Sequence, residues 1–459
     1  MIATGNWGRA DCGRPCRTCS LPPMSSPTTT NFTVQEQPSK PDQPSNLPDQ
    51  PSNLPDQPSN LPDQPSKPDQ PSKPDQPSKP DKKPYGLLTN MEVYWRDQYF
   101  WLLSNGYELR PRYHPDWTPS WWPAEYPSGR CDDGQRLYNG NMLDATRLVD
   151  SSHVVLKRVP HNGPSWKNQE ASILEYFSQG EPVASDPRNR CVTCIEILRP
   201  PGDERGVLAV MPILRTFDDP EFETKGEAVD FIRQVLVGFE FLHEHRVAHR
   251  DIRTDNIMLD CRNLRGDRFH FCKPARTSEN LKKHVRFRNT RTTHRPRYCI
   301  IDFGFSSQYK DDKFPAREPT RPVSDLTLPE LQRPWGRFDP MPIDVYYVGS
   351  FLRMEFIEGN PDVMKRNGRE GYEFLRPLIT AMTKENAKER VTMTQALKMF
   401  DEIVATLSTS TLRSRDKLIY GRWLFRESIA RRVAASVRYW YRRTKYSLRH
   451  VPPIPAGDA

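Results

Sequence analysis

Long apolar runs are missing from this 459-residue chain. No stretch approaches the ~18 to 20 consecutive apolar residues that a membrane-spanning helix needs. The opening, MIATGNWGRADCGRPCRTC, lacks the apolar centre of a secretory leader. Cysteine is sparse too. Nine thiols, an odd number scattered along the chain, do not make a secreted disulfide framework, so an intracellular protein of the cytoplasm or nucleus is expected. Cys12, Cys16 and Cys19 form a C-x3-C-x2-C cluster with no fourth ligand nearby, and Cys191 and Cys194, in a β-prone stretch, read as buried structural thiols. Charge is plentiful. Lys and Arg number 67 against 58 Asp and Glu, and the net +9 favours acidic partners without choosing among nucleic acid, anionic lipid and phosphoprotein.

Proline is abundant, with 46 residues in a chain of mean hydropathy −0.78. Residues 37–84 repeat QPSKPD and QPSNLPD, with two prolines per unit and almost nothing to bury. Proline removes backbone donors, and so little apolar surface cannot offset the entropy of ordering, so a disordered linker is expected there, behind a disordered N-terminus over 1–36. A solenoid is excluded because no unit has a hydrophobic face to stack. A proline-rich ligand would want flanking arginines that most units lack.

Folded sequence begins near Asn90. Residues 85–142 read as a helix, MEVYWRDQYFWLL, followed by an extended aromatic segment in which Trp117, Trp121 and Trp122 should strap across a neighbouring surface. Three β-prone runs follow, HVVLKRV, NRCVTCIEIL and GVLAVMPIL, with one helical run, KNQEASILEYF, between the first two. After Thr224 the period changes to 3.6. Thr224 and Glu227 have capping-box spacing, and Ala228, Phe231, Ile232, Val235, Leu236, Phe239 and Leu242 lie along one helix face. An α+β chain is expected, with a small antiparallel β lobe before a larger helical one.

Four motifs then fall in one order. Val154-Val155-Leu156-Lys157 is a strand ending on lysine, and Glu170 sits in the helical run after it. His249-Arg250-Asp251 precedes Asn256 in H-R-D-x-x-x-x-N spacing, and Asp302-Phe303-Gly304 follows a strand-like YCIID. Phosphoryl transfer needs a cation to anchor phosphates, oxygen ligands for magnesium and a carboxylate beside the attacking hydroxyl, and this set offers each. In this order the motifs resemble the eukaryotic-type protein kinase family, over about Leu143 to Ile403. Pro329-Glu330, Asp344, Gly349 and Arg390 extend the likeness beyond the catalytic loop. The opening RDQYFWLLSNGYELRPRYHPDWTPSW and the VMP segment are similar to kinase-like proteins of mushroom-forming fungi.

The resemblance implies a bilobal kinase-like fold using ATP and Mg2+. Lys157 would reach the phosphates, Glu170 would hold it, Asp251 would take the hydroxyl proton with Arg253 nearby, and Asn256 and Asp302 would bind metal. Val155 and Met258 would sandwich adenine, with the hinge in Val207 to Leu214. His249 would pack rather than react. A protein substrate is implied, serine or threonine before tyrosine, and nucleic acid ranks low as a partner.

Three departures qualify this. No G-x-G-x-x-G precedes Lys157, the nearest candidate being Tyr138 to Met142, with one glycine. Arg253 stands where serine/threonine kinases usually carry lysine. Asn256 and Asp302 lie 46 positions apart, and the insertion, 261–297, holds twelve Lys or Arg against two acids. It reads first as a solvated surface loop and second as a docking site for an acidic partner. A pseudokinase, keeping the fold as a nucleotide-binding or scaffold module, is the main rival, and a small-molecule phosphotransferase fits least. The basic tail, 404–459, carries a helical pattern over 413–449 with Trp423, Val433, Val437, Trp440 and Tyr441 near one face. It is expected to dock on the large lobe, with an interfacial membrane helix second.

Deleting residues 37–84 is expected to leave the thermal midpoint unchanged. A clear drop in melting temperature would refute the linker reading.

Overall fold

A computed structural model describes residues 87–122, 128–137, 139–160, 169–279, 281–310, 316–320, 325–332, 336–359, 368–419 and 429–457. The linker, the Cys12 cluster, Tyr138 and Trp423 lie outside them.

Helix α1 (Asn90–Asp97) opens on a capping box. Thr89 Oγ1 accepts from Glu92 N at 3.3 Å, and Thr89 N donates back to the Glu92 carboxylate at 2.9 Å. Helix α2 (Tyr99–Ser104) follows after Gln98. Together they bury Trp95, Tyr99 and Leu102 on the outer face of a five-stranded antiparallel sheet. Its order is β1-β2-β3-β5-β4, built from β1 (Tyr107–Leu109), β2 (Met142–Arg147), β3 (Ser152–Pro160), β4 (Glu196–Leu198) and β5 (Gly206–Pro212). Helix α3 (Glu170–Gln179) lies between β3 and β4 in sequence.

The register of β2 against β3 decides which side chains face the second lobe. The pairs Leu143↔Leu156 and Ala145↔Val154 belong to the outer cluster under α1 and α2. Because side chains alternate with period two, Met142↔Lys157 and Asp144↔Val155 face the opposite way.

Residues 85–142 are therefore more than an appendage, since β1 pairs with β2 and residues 110–141 form the connection between those two strands. That connection is braced from within. Arg112 donates to both Glu92 oxygens at 2.9 and 3.1 Å, both side chains are fully buried, and Tyr113 OH donates to the same carboxylate at 3.2 Å. Burial would raise the Glu92 carboxyl, but Arg112 holds it below its ordinary value. Trp117 stacks under Arg112 and tilts against buried Trp121. Trp122 departs from the expected strap and is 45% exposed, because immediate neighbours in a turn point different ways.

The large lobe starts with β6 (Arg215–Thr216) and α4 (Lys225–Glu244). Thr224 caps α4, and all seven apolar residues expected on its face are buried. Strand β7 (Val247–Ala248) leads to a loop and to β8 (Ile257–Asp260), which pairs with β6 and with β11 (Arg297–Ile300). Helices α5 (Pro340–Leu352), α6 (Arg376–Met382), α7 (Met393–Ala405), α8 (Thr409–Leu412) and α9 (Ile429–Leu448) complete it. Cys191, Cys194 and Cys299 are free and buried in the main core.

The insertion between β8 and β11 is not the solvated loop expected from its charge. Within it β9 (Phe269–His270) pairs with β10 (Lys273–Thr277), and Phe269, His270, Arg291 and Thr292 are buried. Partners supplied by the lobe make this affordable. Arg291 donates to Phe217 O at 3.0 Å, Arg295 to Asp230 Oδ1 at 2.8 Å, and the Glu227 carboxylate accepts from Thr292 N at 3.0 Å and Thr292 Oγ1 at 2.6 Å.

Arg112→Ala strands a buried carboxylate, and is expected to cost about 3 to 5 kcal/mol of unfolding free energy in urea titration. A loss under about 1 kcal/mol, typical of a surface pair, would show the brace to be peripheral.

Candidate active site

Strand β3 points Lys157 into the cleft, where its ammonium meets two carboxylates from different elements. Nζ donates to Glu170 Oε1, on the first residue of α3, at 2.5 Å, and to Asp302 Oδ1, just after β11, at 2.7 Å. Burial would lower the Lys157 pKa, but Glu170 and Asp302 outweigh it and hold it above lysine's ordinary value. Asp302 moves the other way. Burial would raise it, yet the Lys157 ammonium keeps it below the usual carboxylate range. The Asp302 backbone takes a left-handed turn, φ +65°. A Cβ on Gly304 would stand 3.2 Å from Asp302 Oδ1, a tight approach that would press on the carboxylate. Phe303 is fully buried, stacked on Phe177 of α3 and in contact with His249.

The loop after β7 is hung from one buried carboxylate. His249 N and Arg250 N donate to Asp344 Oδ2 and Oδ1 at 2.7 and 2.9 Å, and Asp344 is presented by α5. His249 Nε2 lies 3.0 Å from Ile301 O, so its ring ties this loop to the strand before Asp302. Asn256 Nδ2 donates to Asp251 O at 2.8 Å and Asp251 Oδ2 at 3.0 Å. Asp251 Oδ1 and Asn256 Oδ1 are then buried without hydrogen-bond partners, and Arg253 Nε stands 3.6 Å from the former. Burial raises the Asp251 carboxyl, and Asp302 adds to the rise against Arg253 and His249. The Asn256 amide oxygen and the Asp302 carboxylate are hard oxygen donors of the kind magnesium takes, so these residues fit such an ion.

Arg250 connects the loop to the segment downstream. It donates to Ser307 Oγ at 3.0 Å and Pro319 O at 3.2 Å, and it pairs with Glu318. Tyr309 OH also donates to Glu318, at 2.7 Å. Further on, Arg390 makes a two-pronged pair with Glu330 at 2.7 and 2.9 Å. Thr327 in the same segment donates to Asp325 Oδ1 at 2.7 Å.

At the slot expected to hold a base, Val155 and Met258 are only 4% and 2% exposed. Its roof is charged. Asp144, paired with Val155 and sharing its face, accepts from Arg110 Nε at 2.9 Å and lies 3.1 Å from His153 Nε2. Burial would raise the Asp144 carboxyl, but Arg110 and His153 hold it below the ordinary range.

The insertion hairpin closes against this roof. Phe269 lies between His153, ring centres 6.4 Å apart, and the Arg215 guanidinium, 4.6 Å from the ring centre. Arg268 donates to Thr146 Oγ1 and Lys273 to Gly129 O, both at 2.6 Å, while Arg110 donates to Cys272 Sγ at 3.5 Å. Burial pushes the Cys272 thiol up to about 11.

The structure thus brings Lys157, Glu170 and Asp302 into one contact and Asp251, Asn256 and Arg253 into another, while Val155 lies on β3 and Met258 on β8, both buried. Sequence reasoning missed Arg110, Asp144, Phe269 and Glu318. Only Asp144 left a signal, as a lone carboxylate in the apolar strand MLDA.

The family model for the protein kinase domain matches residues 150–327. Among curated proteins, the chain is 32% identical over 121 residues to a Caenorhabditis elegans protein named as ribosomal protein S6 kinase alpha-2, covering 25% of this chain and 14% of that one. It is 27% identical over 119 residues to mitogen-activated protein kinase kinase 8 of Arabidopsis thaliana, covering 26% and 36%. It is 35% identical over 60 residues to serine/threonine-protein kinase MST20 of Pyricularia oryzae, covering 13% and 7%. In each case the match spans well under half the relative's length.

Phe269→Ala removes the ring between roof and floor. Amide exchange in Gly206–Pro212 and Ile257–Asp260 is expected to quicken about tenfold by hydrogen–deuterium mass spectrometry. Unchanged exchange would mean the hairpin only rests on the lobes.

Proposed function

We propose that this chain, which carries a eukaryotic-type protein kinase domain, is an ATP- and magnesium-dependent protein kinase acting on serine or threonine before tyrosine, with the domain running over 143–403. The observation that carries the reading is the Lys157 ammonium held between Glu170 and Asp302. A lysine so placed offers its charge to the phosphates of a nucleotide in the cleft. Asn256 and Asp302 would hold magnesium, which when bound offsets the charge of the transferred group. Asp251 orients the substrate hydroxyl and accepts its proton, while the hydroxyl oxygen bonds the γ-phosphorus, the bond from that phosphorus to the bridging oxygen breaks, and ADP leaves. Arg253, 3.6 Å from Asp251, sets a cation beside the transferred group. The preference for serine or threonine leans on the names of the relatives.

Arg250 finds its counter-charge in Glu318 of the chain itself. This supports a catalytic loop ordered without a phosphate on the downstream segment. Six free thiols among the described residues support a reducing, intracellular setting, in the cytoplasm or nucleus. Lys282, Lys283, Arg286 and Arg288 are exposed on the insertion and would suit an acidic protein partner.

One observation favours the pseudokinase as a second reading. A carboxylate over the base slot, and slot walls already buried, oppose the apolar sandwich an adenine ring wants.

The full chain, given magnesium, radiolabelled ATP and a mixture of acceptor proteins, is expected to transfer label at a rate that Asp251→Ala lowers at least about 100-fold. Asp302→Asn should also abolish transfer. The base must be deprotonated and burial raises its pKa, so the rate should climb with pH through a midpoint above ~4, the ordinary aspartate value. Nucleotide binding with no transfer would favour the scaffold reading.

A further inference from the structure

Helix α9 has two faces, and the lobe uses one. Tyr439 is buried and its hydroxyl donates to Arg413 O at 2.9 Å. Arg442 donates to Glu223 Oε2 at 3.0 Å, and Tyr446 OH shares a 3.0 Å hydrogen bond with Thr290 of the insertion. Beyond the helix the chain returns to α4, where a Cβ on Gly226 would stand 1.9 Å from Pro453 O, so only glycine admits that approach. The helix is held along the middle and C-terminal half of its inner face.

The outer face is the apolar one. Val433, Val437, Trp440, Tyr441 and Leu448 follow helical spacing and are 56, 63, 59, 65 and 76% exposed. The face noted in the sequence for its apolar residues is thus turned away from the lobe. Burying a large apolar stripe is ordinarily what fixes a helix, so five such side chains held in water call for something to cover them. The same helix region, 429–449, carries seven Lys or Arg and no Asp or Glu. Two of those cations lie on the aromatic rings. The Arg443 guanidinium is 5.3 Å from the Trp440 ring centre, and the Lys445 ammonium 5.8 Å from that of Tyr441.

This combination selects among occupants. A nucleic acid would use the cations and leave the valines and leucine in water. Another protein would have to match both an apolar stripe and the cations that flank it. A lipid surface takes both at once, with valine and leucine at the acyl boundary, tryptophan and tyrosine at headgroup level, and arginine and lysine on anionic headgroups. No helix among the described residues is long and apolar enough to cross a membrane, so the contact would lie in the interface plane. We propose that the outer face of α9 docks the large lobe on an anionic membrane surface. The inner face already orders the helix, so binding does not have to fold it. The inference stands on α9 alone, apart from any catalytic activity.

The test is co-sedimentation of the full chain with phosphatidylcholine vesicles, with and without phosphatidylserine. Binding is expected only with phosphatidylserine, and should weaken as salt is raised. Val437→Asp with Trp440→Ala is expected to lower the partition coefficient at least about tenfold at an unchanged melting temperature, and Trp440→Tyr to keep it. Binding equal in parent and double variant, or to neither vesicle, overturns the proposal. So does retention of single-stranded RNA without vesicle binding, which assigns the face to nucleic acid. A dimer that the double variant dissociates, again without vesicle binding, assigns it to a second copy and overturns it as well.

Discussion

One buried ammonium ties the two lobes of this protein together. Lys157 comes from a central strand of the sheet, Glu170 from the helix beside it, and Asp302 from the turn just after β11. A cation this deep is stable only while both carboxylates are in place, and each carboxylate depends in turn on the cation. The position of α3 and the left-handed turn at Asp302 are therefore set together. Phe303 extends that coupling into apolar packing, since it touches Phe177 of α3 and His249 of the loop that presents Asp251. Asp344 then fixes the same loop from below through two backbone amides.

Much of this was legible in the sequence, for identifiable reasons. The strand HVVLKRV, the capped helix after Thr224 and the H-R-D-x-x-x-x-N spacing each obey a local rule of periodicity or motif, and local rules survive without knowledge of the fold. Asp344 and the Glu330–Arg390 pair were accessible because their motifs lie in a fixed order along the chain. Cys191 and Cys194 were readable from their apolar neighbours alone.

What escaped reading depended on contacts between segments far apart. Strand β1 is only three residues long and follows a helix, so nothing local distinguished it from a loop. Because β1 pairs with β2, the connection between them in sequence is a long one, where a short glycine-rich turn had been sought. The insertion misled because twelve cations suggest solvent, whereas Arg291 and Arg295 find carbonyl and carboxylate partners more than 60 residues away. The tail misled in the opposite sense. Its apolar stripe suggested the docking face, but Tyr439 and Arg442, on the other side, had the hydrogen-bond partners.

The brace on residues 110–141 bears on how the cleft could open. A glycine-rich turn can lift by itself, because its backbone rotates at little cost. Here the roof is stiffened by the Glu92–Arg112 pair and joined to the insertion through Arg110, Arg268 and Lys273. Such a roof favours opening by a hinge motion of one lobe over the other, which would release those contacts. A ligand in the cleft would then leave by a collective motion of the lobes and not by the flicker of a loop.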